Sequence, residues 1–128
     1  MARIKVNDVT GNWKPSNVGT SAGTIFGPML FTSYFHDAPD TVKPKFADDA
    51  SSVAVGLNVK DVEYKLQIST NEMEAWSNKW GMDLNLPKTN VMLFGDVSSK
   101  IKVTVAWKLV KQVKFVKCLG VMLDCKIV

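Results

Sequence analysis

Between Asn58 and Trp80 the apolar positions Val62, Leu66, Met73, Trp76 and Trp80, joined by Ser69, recur at intervals of three or four, which predicts one face of an amphipathic helix with Gly81 as its stop. Upstream, Ile25, Phe26, Met29, Leu30, Phe31, Tyr34 and Phe35 crowd a second helix, expected from Thr24 onward and buried on more than one side. Pro28 suits its first turn and Pro39 stops it. Elsewhere the pattern shortens towards alternation. "RIKV" and "WKPSNV" bracket a turn-like "NDVTGN", where Gly11 and Asn12 tolerate positive φ, and so predict a hairpin. Thr41 to Val55 predicts another: Val42 and Phe46 lead in, "ADDA" forms the tip, and Ser51 to Val55 leads out. After Gly81, "TNVMLFG", "KIKVTVAW", "KQVKFVKC" and "GVMLD" have the character of short strands. Strands, helix, hairpin, helix and strands in that order define an α+β class.

Composition narrows this picture. A chain of 128 residues fits one domain, and 46% hydrophobic residues exclude an intrinsically disordered composition. No internal repeat is evident. No apolar run reaches the roughly 18 residues of a membrane span, and "ARIKV" after Met1 is not a signal sequence, so no membrane role is expected. Cys118 and Cys125 have neither metal-ligand nor disulfide-framework spacing, which fits free thiols in an intracellular chain, nuclear or cytoplasmic.

Charge is placed unevenly within a net +4: residues 100–128 carry seven lysines against one acid, Asp124. Lysines alternating with apolar residues suit a phosphate backbone, and equally a solubilising strand face. The adjacent carboxylates Asp48 and Asp49 raise a sharper question. Asp-Asp pairs serve ordinary turns, bonding nearby amides. In a strand, successive side chains diverge, so a turn at the pair is what lets both approach one site. Oxygen ligands at such a tip suit a hard cation such as Mg²⁺.

Four segments, in order, resemble the palm region of reverse transcriptases carried by non-LTR (LINE-like) retrotransposons. They are "GTSAGTIFGPMLF" (19–31), "FADD" (46–49), "WGMDLNLPKTNVMLF" (80–94) with its Asn85, Lys88 and Thr89, and "FVKCLGVMLD" (115–124). Ala22, His36 and Cys118 depart from the family's usual Gln, Asn and Tyr. The resemblance implies a partial polymerase palm, an antiparallel sheet against two helices with C-terminal β-hairpins. Residues 1–23 would be a fingers/palm junction, 24–95 palm, and 96–128 basic strands with a primer-grip-like hairpin.

The implied activity is RNA-directed DNA synthesis, a nucleotidyl transfer in which two metal ions about 4 Å apart hold the attacking and leaving oxygens. Asp48 and Asp49 would be the catalytic, metal-binding carboxylates, with Mg²⁺ or Mn²⁺ as cofactor. Lys88 would act near the leaving pyrophosphate. Gly23 and Phe46 would contact nucleotide or template, and Leu119, Gly120, Lys114 and Lys117 the primer. RNA template, DNA primer and dNTP are the implied partners.

Nothing before Gly19 resembles the family's other metal-binding Asp segment, Asp8 lying too close to the next motif, and neither most of the fingers nor a thumb is recognisable. The expectation is a fragment with negligible polymerase activity as this chain alone, and an exposed sheet edge that favours self-association or a completing polypeptide. Two other roles fit the residues: a non-catalytic nucleic-acid-binding remnant, and a host-recruited protein-interaction module.

Overall fold

The computed structural model describes residues 5–6, 9–10, 12, 25–42, 45–46, 49–96 and 98–126. Its backbone is organised by one long helix. In chain order the elements are β1 (Lys5–Val6), β2 (Val9–Thr10), α1 (Phe26–His36), β3 (Lys45–Phe46), β4 (Asp49–Ala50) and α2 (Val59–Trp80). After a 3₁₀ turn at Leu86–Lys88 come β5 (Asn90–Val91), β6 (Thr104–Val105), β7 (Lys108–Leu109), β8 (Lys111–Gln112), β9 (Phe115–Cys118) and β10 (Val121–Asp124).

Helix α2 lies where the periodicity predicts, and both ends are chemically defined. The Asn58 side chain accepts a hydrogen bond from the Asp61 amide at 2.9 Å, satisfying one of the amides that every helix start leaves unpaired. At the other end Gly81 takes the left-handed conformation (φ 64°), with Gly81 N–H donating to Asn78 O and Met82 N–H to Ser77 O. That paired closure is a Schellman motif, and glycine adopts it without a Cβ penalty.

Two apolar clusters line α2. Towards its start, Val62 and Leu66 pack with Leu84 and Leu86 against buried Val91, Ile101, Val103, Val105 and Val110. Towards its end, Met73 and Trp80 join buried Trp76, Phe35 and Ala38, together with Phe31 and Met82. Phe35 meets Trp76 edge-on at 5.5 Å and stacks on Phe31 at 5.4 Å, the offset and T-shaped geometries that aromatic quadrupoles favour. Among the described residues no large side chain is completely enclosed, so both clusters are thin.

The basic strands are fastened to α2 partly through side chains. Ile101, Val103 and Val105 alternate inward, and their outward neighbours turn amide hydrogens towards the helix. Lys102 N–H donates to Glu63 Oε2, Thr104 N–H to Gln67 Oε1 and Ala106 N–H to Glu74 Oε2. Gln67 also donates from Nε2 to Thr104 O at 2.9 Å, so its amide matches one residue of a missing neighbouring strand, donor and acceptor alike.

Several local expectations are corrected. Helix α1 begins at Phe26 rather than Thr24, and it is not buried on more than one side: Ile25 (86% exposed), Phe26 (70%), Met29 (64%) and Leu30 (51%) face solvent. The Phe31 and Phe35 stripe packs against Met73, Trp76 and Trp80 of α2. In the first hairpin Val9 and Thr10, expected within the turn, form β2 and pair with Val6 and Lys5. "KIKVTVAW" turns at Ala106 and Trp107, both at positive φ, and β7 returns along β6. Among the described residues the ladders are two-stranded; four are antiparallel, while β5 and β8 run parallel.

Candidate functional site: a hairpin stitched to the long helix

The segment holding the paired carboxylates forms a minimal hairpin. Strands β3 and β4 pair antiparallel, with Phe46 opposite Asp49 and Lys45 opposite Ala50, so Asp49 and Ala50, expected at the tip, belong to a strand. Asp49 is exposed on β4. Asp48 lies outside the described residues, as does Gly23, and of Phe46 only the strand backbone is described. Ser51 to Val55, expected to lead out as a strand, forms no ladder; it runs beside α2 instead, held at Ser52 and Val55.

Both stems of this hairpin are tied to one residue of α2. Ser69, 4% exposed, donates from its hydroxyl to Thr41 O at 3.3 Å and lies 2.6 Å from the Ser52 hydroxyl. Since the single Ser69 proton is used on Thr41, Ser52 must donate to Ser69 Oγ. Thr41 Oγ1 also donates to Glu72, and Lys65 Nζ donates to Val55 O at 2.8 Å while pairing with Asp61 at 3.0 Å. A groove of about 310 Å³ lies between α2 and this extended segment, lined by Thr41, Ser52, Val55, Lys65, Leu66 and Ser69 among others. Sequence reasoning placed Ser69 on the helix face without a role. A hydroxyl within an otherwise apolar stripe was the available signal.

Lys88 is presented by its own motif. Asn85 Oδ1 accepts from the Lys88 amide at 3.3 Å and Asn85 O accepts from Thr89 Oγ1 at 2.8 Å, closing the 3₁₀ turn and leaving Lys88 exposed at its end. Asn and Thr of this Asn-x-x-Lys-Thr segment are therefore scaffolding for the lysine's position. The chain next enters β5, whose Asn90 pairs with Lys111.

Leu119 (φ 49°) and Gly120 (φ 82°) form the tight turn joining β9 and β10, with Cys118 opposite Val121. Lys117 sits opposite Met122 on β9. Lys114 stands just before the ribbon and lines a cleft of about 570 Å³ together with Lys100, Lys102 and Lys111, over an apolar floor that includes Ile101, Val110 and buried Cys125. At its mouth, hydrogen bonds from the Ser99 and Ser98 hydroxyls hold the Asp96 carboxyl below the usual carboxylate range. Four lysines thus line one cleft, beside an aspartate that is already engaged by Ser98 and Ser99. Lys117, Leu119 and Gly120 do not line this cleft.

The described residues do not fit a divalent-ion centre: among them no three of His, Cys, Asp or Glu come together, and Asp49 is a single exposed carboxylate. A magnesium ion needs several oxygens in near-octahedral array, more than Asp49 alone supplies. Among the described residues, no helix is long and apolar enough to cross a membrane.

A mixed helix-and-ladder chain with a hairpin fastened to its long helix and a lysine-lined cleft is the class that fold and site define. Neither a family model nor a solved structure matches it. In sequence it is similar to the RNA-directed DNA polymerase from mobile element jockey of Drosophila melanogaster, 23% identical over 136 residues that cover 97% of this chain. The chain spans 15% of the length of that relative. The kinship is distant, and it is to a segment of a retrotransposon polymerase.

Proposed function

We propose that the chain is a piece of a reverse transcriptase palm whose role is to carry the "FADD" hairpin on α2 and to lay its basic strands against a nucleic-acid backbone. The observation that carries this reading is the likeness to a polymerase segment along 97% of the chain. The lysine-lined cleft supports the second half of it: Lys100, Lys102, Lys111 and Lys114 form a cationic track with apolar walls. Catalysis belongs to an assembly with further carboxylates. A polypeptide of these 128 residues holds nucleic acid without extending it.

Fluorescence anisotropy with a labelled RNA–DNA primer–template, titrated at several salt concentrations, tests the binding. Four phosphate contacts predict a log–log slope of about −3.6, and Lys111→Ala should lower its magnitude by about 1. Absence of binding at low salt would sink the reading. Primer extension with dNTPs and Mg²⁺ or Mn²⁺ should give no product from the chain or from Asp48→Asn. Product from the chain that is lost in the variant would instead show a complete site.

The noncatalytic remnant is the same binding without a longer enzyme, and it is favoured by the same cleft.

A further inference from the structure

Residues Ser51 to Leu57 have a burial pattern opposite to that of an ordinary surface strand. The small residues Ser52, Ala54 and Gly56 alternate towards partial burial, while Val53 (75% exposed), Val55 (81%) and fully exposed Leu57 face outward. Contact with α2 explains the inner row. A Cβ on Gly56 would come within 2.5 Å of Asp61 Oδ2 and 3.0 Å of Val62 Cγ2, so the backbone approaches the helix as closely as only glycine allows. Large apolar side chains are left exposed, Val53 and Val55 at the rim of the groove beside α2 and Leu57 beyond it.

Helix α1 presents the same imbalance. Its Phe31 and Phe35 stripe is used on Trp76, and its Ile25, Phe26, Met29 and Leu30 face is open. Ser52 touches α2 at Ser69 and Phe35 touches it at Trp76, seven residues further on, which is two turns along one helix face. The extended segment and α1 therefore form one layer on the same side of α2. Both elements of that layer turn apolar surfaces outward.

We infer that this chain pairs with a second copy of itself, Val53, Val55 and Leu57 of each copy packing on Ile25, Phe26, Met29 and Leu30 of the other. The two faces supply complementary elements, a strand row and a helix stripe, and a two-fold axis satisfies both at once because each contact is made reciprocally. Their exposed area is roughly 900 Å² per copy, close to the ~800 Å² per partner of a standard stable interface. None of the seven residues is charged. The neighbouring hydroxyls on α1 are already turned back, Thr32 Oγ1 donating to Pro28 O at 2.8 Å and Ser33 Oγ to Met29 O at 3.0 Å, so covering the face strands neither donor. Packing by faces also leaves the unladdered backbone edges of residues 51–57 open to water. The inference stands apart from nucleic-acid binding, which uses the C-terminal cleft.

Sedimentation equilibrium on the full 128-residue chain tests it. A dimer with micromolar or tighter affinity is expected. Val55→Glu and Met29→Lys should each weaken it at least 100-fold with an unchanged circular dichroism spectrum, since both side chains are exposed within one copy. Combining the two substitutions should recover at least tenfold of the lost affinity, because the new charges face each other across the axis. Should either charged variant lose helical signal, Val55→Thr and Met29→Gln are measured in its place, with a tenfold weakening expected. A chain that stays monomeric at 100-fold the expected dissociation constant, one that grows into open-ended oligomers, or a dimer indifferent to these substitutions would overturn the inference. So would binding of a different protein on this face by a chain that does not self-associate.

Discussion

The Ser52 hydroxyl donates to Ser69 Oγ across 2.6 Å, and the Ser69 hydroxyl passes the chain of bonds on to Thr41 O at 3.3 Å. One buried helix residue thereby clamps both stems of the segment whose hairpin carries Asp49 on β4. Ser69→Ala removes the link and leaves the Thr41 carbonyl and Ser52 hydroxyl short of a partner. The expected loss is about 2 kcal/mol, seen as a fall in Tm of about 5 to 10 °C. Hydrogen exchange of the Lys45, Phe46, Asp49 and Ala50 amides should quicken more than that of the β6 to β8 amides. Uniform quickening would mean that Ser69 acts on the whole fold instead.

At the far end of α2, Asp37 accepts from Lys79 Nζ at 2.7 Å and from Trp80 Nε1 at 3.2 Å, and Lys79 also lies 5.1 Å from the Trp80 ring centroid. The Lys79 hydrogen bond, then that of Trp80, then the Lys79 charge, hold the Asp37 carboxyl below its ordinary value of 3.8. A carboxylate with a depressed folded pKa stabilises the fold above the unfolded value, and the contribution fades as pH falls through the folded one. Tethering of α1 to α2 by this group is therefore complete at neutral pH and weakens only below about pH 4. Carboxyl-detected NMR should show the Asp37 midpoint moving upward in Lys79→Ala. An unmoved midpoint would mean that the ion pair does not persist in solution, as is common for exposed pairs.

How far the sequence foretold this structure depends on where each element's determinants lie. Helix α2 was legible end to end because its signals are local: Asn58 caps it, the three-to-four spacing marks its face, and Gly81 ends it. The "FADD" hairpin was legible in part: β3 and β4 pair as expected of a hairpin, but Asp49 and Ala50, expected at its tip, lie on β4. Exposure of α1 was not, because the residues that make a helix apolar do not state which neighbours will cover them. The same holds for Ser51 to Val55, whose alternation predicts an extended backbone but not a ladder, since pairing depends on a second strand. At the candidate site, Lys114 joins other lysines in one cleft while Lys117 does not, a distinction set by the fold rather than by position in the primer-grip-like motif.

Gln67 substitutes for a strand along the edge of β6, accepting from Thr104 N–H and donating to Thr104 O, both at 2.9 Å. Gln67→Glu keeps the acceptor and deletes the donor, setting a carboxylate against the Thr104 carbonyl. Because the edge is partly open, water replaces some of the lost bonding, and about 1 kcal/mol of destabilisation is expected for Gln67→Glu. Gln67→Ala should cost about the same. Urea unfolding measures both. A Gln67→Glu variant as stable as the parent would show that the amide's donor bond to Thr104 contributes nothing.

The turn between β6 and β7 holds two side chains where glycine and asparagine are the usual occupants: Ala106 at φ 48° and Trp107 at φ 65°. Positive φ at both central residues is the type I′ geometry that matches the twist of a two-residue hairpin, and Asn-Gly is its preferred pair. For an alanine and a tryptophan the conformation is strained, and Trp107, fully exposed, recovers nothing through packing. Replacing the pair by Ala106→Asn and Trp107→Gly should therefore stabilise the chain by about 1 kcal/mol, a rise in Tm of about 3 to 5 °C. The gain should appear chiefly as a shifted denaturant midpoint at constant m, since no core surface changes. A destabilised variant would mean that Trp107 has a partner in solution, and its native fluorescence, blue-shifted relative to a solvated indole, would reveal it.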